Sequence, residues 1–175
     1  MLLIQLTGLS GAGKSSIAQL TRQLLQEAGL PVIIVDGDEC RKTICKDLGF
    51  SKEDRNENIR RLGMLADKFV KAGNITLIAA INPYELIRKE LAQQYRALTV
   101  WVHCSREELI ARDTKGLYKR ALLPDDHPDK VKNLTGINDT FDEPELPALV
   151  IHTHTESAAE SAQRLFQFII QQVKR

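Results

Sequence analysis

Gly8-Leu9-Ser10-Gly11-Ala12-Gly13-Lys14-Ser15 matches G-x-x-x-x-G-K-[ST] at every fixed position. Glycines at these places let the backbone curl until successive N–H groups point inward at phosphate oxygens. A helix beginning at Lys14 would turn its positive end toward the same anion. Lys14 can then reach the β- and γ-phosphates of a nucleoside triphosphate, and the Ser15 hydroxyl can ligate Mg²⁺. Ser10, Gly11, Ala12, Gly13, Lys14, Ser15 and Ser16 are therefore the expected ATP contacts. A glycine-rich turn without a ligand is the alternative. The flanks weigh against it, because Leu2-Leu3-Ile4-Gln5-Leu6 reads as a strand, and Ile17, Leu20, Leu24 and Leu25 recur at helical spacing.

A second group of chemically able residues follows. Val32-Ile33-Ile34-Val35 ends in Asp36-Gly37-Asp38. Open α/β sheets bind ligands outside the carboxyl ends of their strands, so both carboxylates should lie beside the phosphates. Two residues apart, one can face Mg²⁺ and the other an acceptor hydroxyl, and their roles are not separable at this level. An ordinary Asp-Gly turn is the alternative. Arg41, just beyond, could fork onto an anionic acceptor. Ser51 is a plausible helix N-cap, with Asp54 in the acidic variant of a capping box. On the helix that follows, Arg55 and Asn58 share a face and could reach one ligand. Phe50 could stack on a base. The competing account is a solvated charged helix beside a core phenylalanine.

These residues need a scaffold, and the apolar pattern supplies one. Strand windows fall at 2–7, 32–36, 75–80, 98–103 and 148–152, and helix windows at about 14–28, 39–47, 52–72, 83–93, 105–111 and 156–173. This alternation predicts an α/β fold with a mainly parallel five-stranded sheet and helices on both faces. Residues 112–147 break the pattern with charge, proline and glycine, including Pro124-Asp125-Asp126-His127-Pro128. We read them as a lid, because phosphoryl transfer needs water kept out; a disordered insertion is the alternative.

The 175 residues suit one domain spanning 1–175. A net charge of +1 gives no electrostatic case for nucleic acid or an anionic membrane. No apolar run reaches the roughly 20 residues of a membrane span, and no signal peptide precedes the glycine loop. We expect a soluble cytoplasmic protein. Cys40, Cys45 and Cys104 are odd in number and lack C-x-x-C spacing, so they read as reduced thiols. His103, His127, His152 and His154 form no recognisable metal-ligand spacing. His152 and His154, alternating with Thr153 and Thr155, read as a solvated strand end.

The chain resembles the adenylylsulfate kinase (APS kinase) family. The matching segments are the glycine loop, Asp36-Gly37-Asp38 with Arg41, and Asp47-Leu48-Gly49-Phe50-Ser51 running into Asp54-Arg55-Asn56-Glu57-Asn58-Ile59-Arg60-Arg61. Later come Arg112-Asp113-Thr114-Lys115-Gly116-Leu117-Tyr118-Lys119 and Thr135-Gly136-Ile137. They span nearly the whole chain in family order. The resemblance implies a three-layer P-loop NTPase fold. It implies transfer of the ATP γ-phosphoryl to the 3′-hydroxyl of adenosine 5′-phosphosulfate (APS), giving 3′-phosphoadenosine 5′-phosphosulfate (PAPS) and ADP. A related small-molecule kinase with another acceptor, or a silent nucleotide-binding module, is the alternative.

By position, the resemblance makes Lys14, Asp36, Asp38 and Lys115 the catalytic candidates, Lys115 as the lid lysine. Asp38, Arg41, Phe50, Arg55, Asn58, Ile81, Asn82, Lys115, Leu134 and Thr135 become candidate APS contacts. Ser15 and Asp36 would hold Mg²⁺. Arg112 and the Thr153–Thr155 segment are candidates for the ATP base, and relatives suggest a homodimer. The chain departs from the family pattern in places. Asn82-Pro83-Tyr84 stands where the family usually has Ser-Pro-Tyr, so no phosphoserine can form there. Leu134 replaces the usual phenylalanine before Thr-Gly-Ile, which predicts weaker or less selective adenine binding. Phe141 replaces a common tyrosine, and the lid around 124–130 looks a few residues longer. The chain starts almost at the glycine loop, so no regulatory N-terminal extension is expected.

Overall fold

The computed structural model describes residues 1–174. Its elements run β1 (Leu3–Thr7), α1 (Lys14–Glu27), β2 (Val32–Asp36), α2 (Gly37–Lys42), α3 (Lys52–Lys71) and β3 (Ile75–Ala79). They continue with α4 (Glu85–Tyr95), β4 (Leu98–His103), α5 (Arg106–Arg112), α6 (Leu117–Ala121), β5 (Leu149–His152) and α7 (Ala158–Val173). The five strands form one sheet in the order β2-β3-β1-β4-β5, every neighbouring pair parallel.

Alternating side chains send β1 into two cores. Ile4 and Leu6 join Leu77, Val100 and Val102 under α1 and α7, where Ile17, Leu25, Leu165 and Ile169 are buried. Leu3 joins Val35 and Ile78 on the opposite face, under Ile59 and Leu62 of α3 and Ile87 and Leu91 of α4. The layers therefore stack helix, sheet, helix. Because β1 is central, its carboxyl end opens between those of β3 and β4, and the glycine loop emerges there.

The helices begin where their caps dictate. Ser51 Oγ accepts from the Asp54 amide and opens α3 as its N-cap, but Asp54 does not return the bond, so the expected capping box is not completed. Ser157 and Glu160 form a reciprocal capping box on α7. The second helix differs from expectation: it spans Gly37–Lys42, not 39–47. Asp36 starts it early by accepting from the Asp38 and Glu39 amides. Thr43 then leaves helical geometry, and residues 43–47 continue as turns. Residues 112–147 are mostly irregular but include α6, which Asp113 organises by accepting from the Tyr118 and Lys119 amides.

Candidate active site

The glycine loop is built by close approach. A side chain at Gly8 would run into the Val102 carbonyl oxygen of the adjacent strand. Gly13 sits at φ 97°, a left-handed conformation that starts α1 without strain only for glycine. Lys14 is buried, and its Nζ donates to the Gly8 and Leu9 carbonyls at 2.8 Å each. Burial, reinforced by the Lys115 charge, lowers its pKa to about 8. Ser10, Gly11, Gly13, Lys14, Ser15 and Ser16 line one cleft of about 630 Å³. Ala12 does not line it; its side chain is buried in the core beneath the loop and its amide donates to the Leu9 carbonyl.

Asp36 and Asp38 occupy different positions. Asp36 caps α2 with Oδ1 and accepts the Ser15 hydroxyl on Oδ2 at 2.7 Å. That pair suits a hard divalent cation. One hydroxyl and one carboxylate leave the rest of an octahedron to water and phosphate oxygens, as Mg²⁺ prefers. Asp38 lines the cleft and pairs with Lys115 Nζ at 2.6 Å, which holds its carboxyl below the ordinary range. Lys115 comes from the segment between α5 and α6, so this pair joins that segment to the α2 end of the cleft.

Further residues close the cleft on the α3 side. Arg41 Nη1 donates to the Gly49 carbonyl at 2.9 Å, and its guanidinium lies 4.5 Å from the centre of the Phe50 ring. Phe50 is 54% exposed and faces the cleft. Arg55 is buried and largely committed to protein. Its Nε donates to Phe50 O at 3.0 Å, Nη1 to Thr135 Oγ1 at 3.0 Å and Nη2 to Asn133 O at 2.6 Å. It also pairs with Asp139 at 3.0 Å. Arg55 thus clasps α3 to the 133–139 segment, a role that sequence reasoning missed. Asn58, Leu134 and Thr135 line the same space, with Leu134 and Thr135 almost fully buried.

Ile81 and Asn82 form the floor. The Ile81 carbonyl accepts from the Gly8 amide at 3.2 Å and the Thr7 hydroxyl at 2.8 Å. Asn82 is buried at φ 46°, an uncommon conformation that asparagine tolerates better than most residues. Its Nδ2 donates to Gln5 Oε1 at 2.9 Å. Arg88, only 1% exposed, fixes the turn by donating to the Asn82 carbonyl at 2.7 Å and the Asp142 carbonyl at 2.5 Å. Glu85 neutralises it, and Phe141 covers it at 5.7 Å. Gln5 and Arg88 were also missed. The signal for Gln5 was present, a lone amide inside an apolar strand. Arg88 read as one more charge on a polar helix. The Asn58 and Asn82 Oδ1 atoms are buried beside the cleft without a protein partner. Acceptors of this kind would suit an N–H-bearing ligand.

Arg112 lies outside the residues lining this cleft. It bonds Glu108 at 2.8 Å and the Thr153 carbonyl at 3.0 Å, so the two candidates for the ATP base adjoin each other. Nearby, the fold gathers His103, His152 and His154, which sequence spacing had not grouped. Burial and the two neighbouring imidazoles lower the His103 pKa.

A parallel sheet that ends in a lysine-bearing glycine loop, with a second lysine, Lys115, reaching Asp38 across the cleft, defines a P-loop kinase. The family model for adenylylsulphate kinase matches residues 1–152. The chain belongs to that family. It is 44% identical over 165 residues to the adenylyl-sulfate kinase of Chloroflexus aurantiacus, covering 94% of this chain and 86% of that one. It is 43% identical over 160 residues to a probable bifunctional SAT/APS kinase 2 of Sorangium cellulosum, matching 91% of this chain but 27% of that longer protein. Among solved structures, an APS kinase of Mycobacterium tuberculosis in complex with AMPPNP and APS superposes with a TM-score of 0.88 at 32% identity, covering 97% of both chains.

Proposed function

We propose that this chain transfers the γ-phosphoryl of ATP to the 3′-hydroxyl of APS, yielding PAPS and ADP. Family membership supports the reaction class. The observation that carries the site assignment is the shared cleft: the Lys14 loop, the Asp38–Lys115 pair and the Arg41, Phe50, Arg55 and Asn58 cluster all line it. A triphosphate at the loop would therefore face a nucleotide held between α3 and residues 131–135.

Roles follow from geometry. The loop amides and Lys14 bind the transferring phosphate, and Lys115 can swing from Asp38 onto the same charge. Ser15 and Asp36 would hold Mg²⁺, which would supply charge neutralisation for the transferring phosphate. Asp36 is already occupied by its cap and Ser15, so Asp38 is the carboxylate left to orient the 3′-hydroxyl and take its proton. That role needs no strong base, because the loose transition state releases this proton late. Arg41 and the free Nη1 hydrogen of Arg55 offer donors to the phosphosulfate. Phe50 supplies one wall for adenine and Leu134 an aliphatic one. The unpartnered Asn58 and Asn82 oxygens are acceptors for the base or ribose.

Asn82 and Leu134 favour one rival, a kinase with a changed acceptor. The deciding assay offers Mg²⁺-ATP with APS, adenosine 5′-monophosphate or simple sugars. Strong turnover of APS is expected; turnover of another hydroxyl with none of APS would reject the proposal. A homodimer in the cytoplasm completes the proposal. Among the described residues, no helix is long and apolar enough to cross a membrane. Light scattering on the purified chain tests the dimer.

A further inference from the structure

We propose that His103, His152 and His154 form a binding site for a divalent transition-metal ion of the zinc, cobalt and nickel class, separate from the Mg²⁺ position. The inference is independent of the kinase reading. His103 and His152 are directly paired at the carboxyl ends of β4 and β5. Thr153 extends that pairing by donating its amide to the His103 carbonyl at 2.9 Å. His154 then follows His152 by two residues and returns to the same side.

The three rings do not stack. Their centroids lie 5.3, 5.5 and 5.7 Å apart, with interplanar angles of 74°, 75° and 88°. They stand edge-on around a common point, and one ligand nitrogen from each lies within 4.8 Å of the other two. The His103 and His152 Nδ1 atoms are 3.3 Å apart. Two imidazoles on one tetrahedral zinc ion, at bonds near 2.1 Å, have nitrogens about 3.4 Å apart. Two of the three ligands are thus already spaced for an ion, and the third needs a shift of up to about 1.4 Å, within the reach of an exposed side chain.

Donor chemistry selects the ion. Three neutral imidazoles suit zinc, nickel, cobalt or copper and offer nothing to Mg²⁺, which takes oxygen. Exposure of His152 and His154 leaves the remaining coordination positions to water. The ligands come from a shaped turn: the His152 carbonyl accepts from the Thr155 and Glu156 amides, and Glu156 accepts from the His152 amide. Trp101, the chain's single tryptophan, stands 4.8 Å from the His103 ring and provides a reporter.

The test is titration of the full chain with CoCl2 in excess MgCl2, without nucleotide, following Trp101 fluorescence and cobalt visible absorption. One Co²⁺ per chain should bind, quench Trp101 and give an absorption band of low-coordinate cobalt. His103→Ala and His154→Ala should each weaken binding at least about tenfold, the cost that loss of even an outer-shell partner carries. His127→Ala, in the lid, should bind as the parent does. Circular dichroism checks folding, and His154 is exposed on a turn, so its variant keeps the fold. Absence of quenching at millimolar cobalt, or quenching that survives both substitutions, would overturn the assignment.

Discussion

Lys14 is a buried cation with a pKa lowered to about 8, surrounded by loop carbonyls. Between pH 8 and the ordinary lysine value, the free chain loses this proton. Triphosphate oxygens favour the charged ammonium, so binding must restore it. The bound pKa should return to about 10.5 or above. With the free value at about 8, ATP affinity falls about tenfold from pH 7 to pH 9, and binding at pH 8.5 takes up about three quarters of a proton. The nucleotide's own phosphates, with a last pKa near 6, are already ionised there and do not contribute. Cys40 and Tyr118, pushed up by burial to about 11 and about 12, stay protonated across this window. The assay is calorimetry of a non-hydrolysable ATP analogue with Mg²⁺ in buffers of different ionisation enthalpy. The slope of observed enthalpy against buffer enthalpy gives the proton count. Lys14→Met should abolish the uptake along with phosphoryl transfer. A flat affinity from pH 7 to pH 9 with no proton uptake would refute the reasoning.

Other expectations concern the acceptor side. Arg55→Ala removes a buried clasp, leaving the Thr135 hydroxyl without its donor and Asp139 without its counter-charge; a loss of about 2–4 kcal/mol in urea unfolding is expected. It should also raise the APS Kd at least about tenfold while sparing ATP, and unchanged APS affinity would contradict its placement. Phe50→Ala should weaken APS by about 1–3 kcal/mol through lost stacking, read by calorimetry. Leu134→Phe should tighten APS at some cost in Tm, since Leu134 is packed into the core; no change in affinity would show that this wall does not touch the base. Arg88→Met should cost about 3 kcal/mol or more in unfolding experiments, because Glu85 and two carbonyls lose a buried donor.

Local signals in the chain were legible; long-range ones were not. Strand windows and the glycine loop could be read because burial periodicity and φ requirements are short-range properties. The N-cap at Ser51 was readable for the same reason. The start of α2 was misplaced because Asp36 serves twice, ending a strand and capping a helix. Five-residue α6 was hidden in a charged stretch, since its anchor is one carboxylate, Asp113, accepting backbone amides. Arg55 showed its position on α3 but not its partners on the 133–139 segment, which lie 78 to 84 residues away. The histidine trio has the same origin. His103 and His152 are neighbours only because β4 and β5 pair in parallel, and no spacing rule connects two strand ends so far apart in sequence.

The central claim is that one cleft seats a phosphoryl donor beside a sulfated nucleotide. Single-turnover quench-flow with γ-³²P-labelled ATP, APS and excess enzyme tests it most directly. Label should move in one phase to the 3′-oxygen of APS, giving labelled PAPS. Release of the label as inorganic phosphate, with APS left unmodified, would contradict the account.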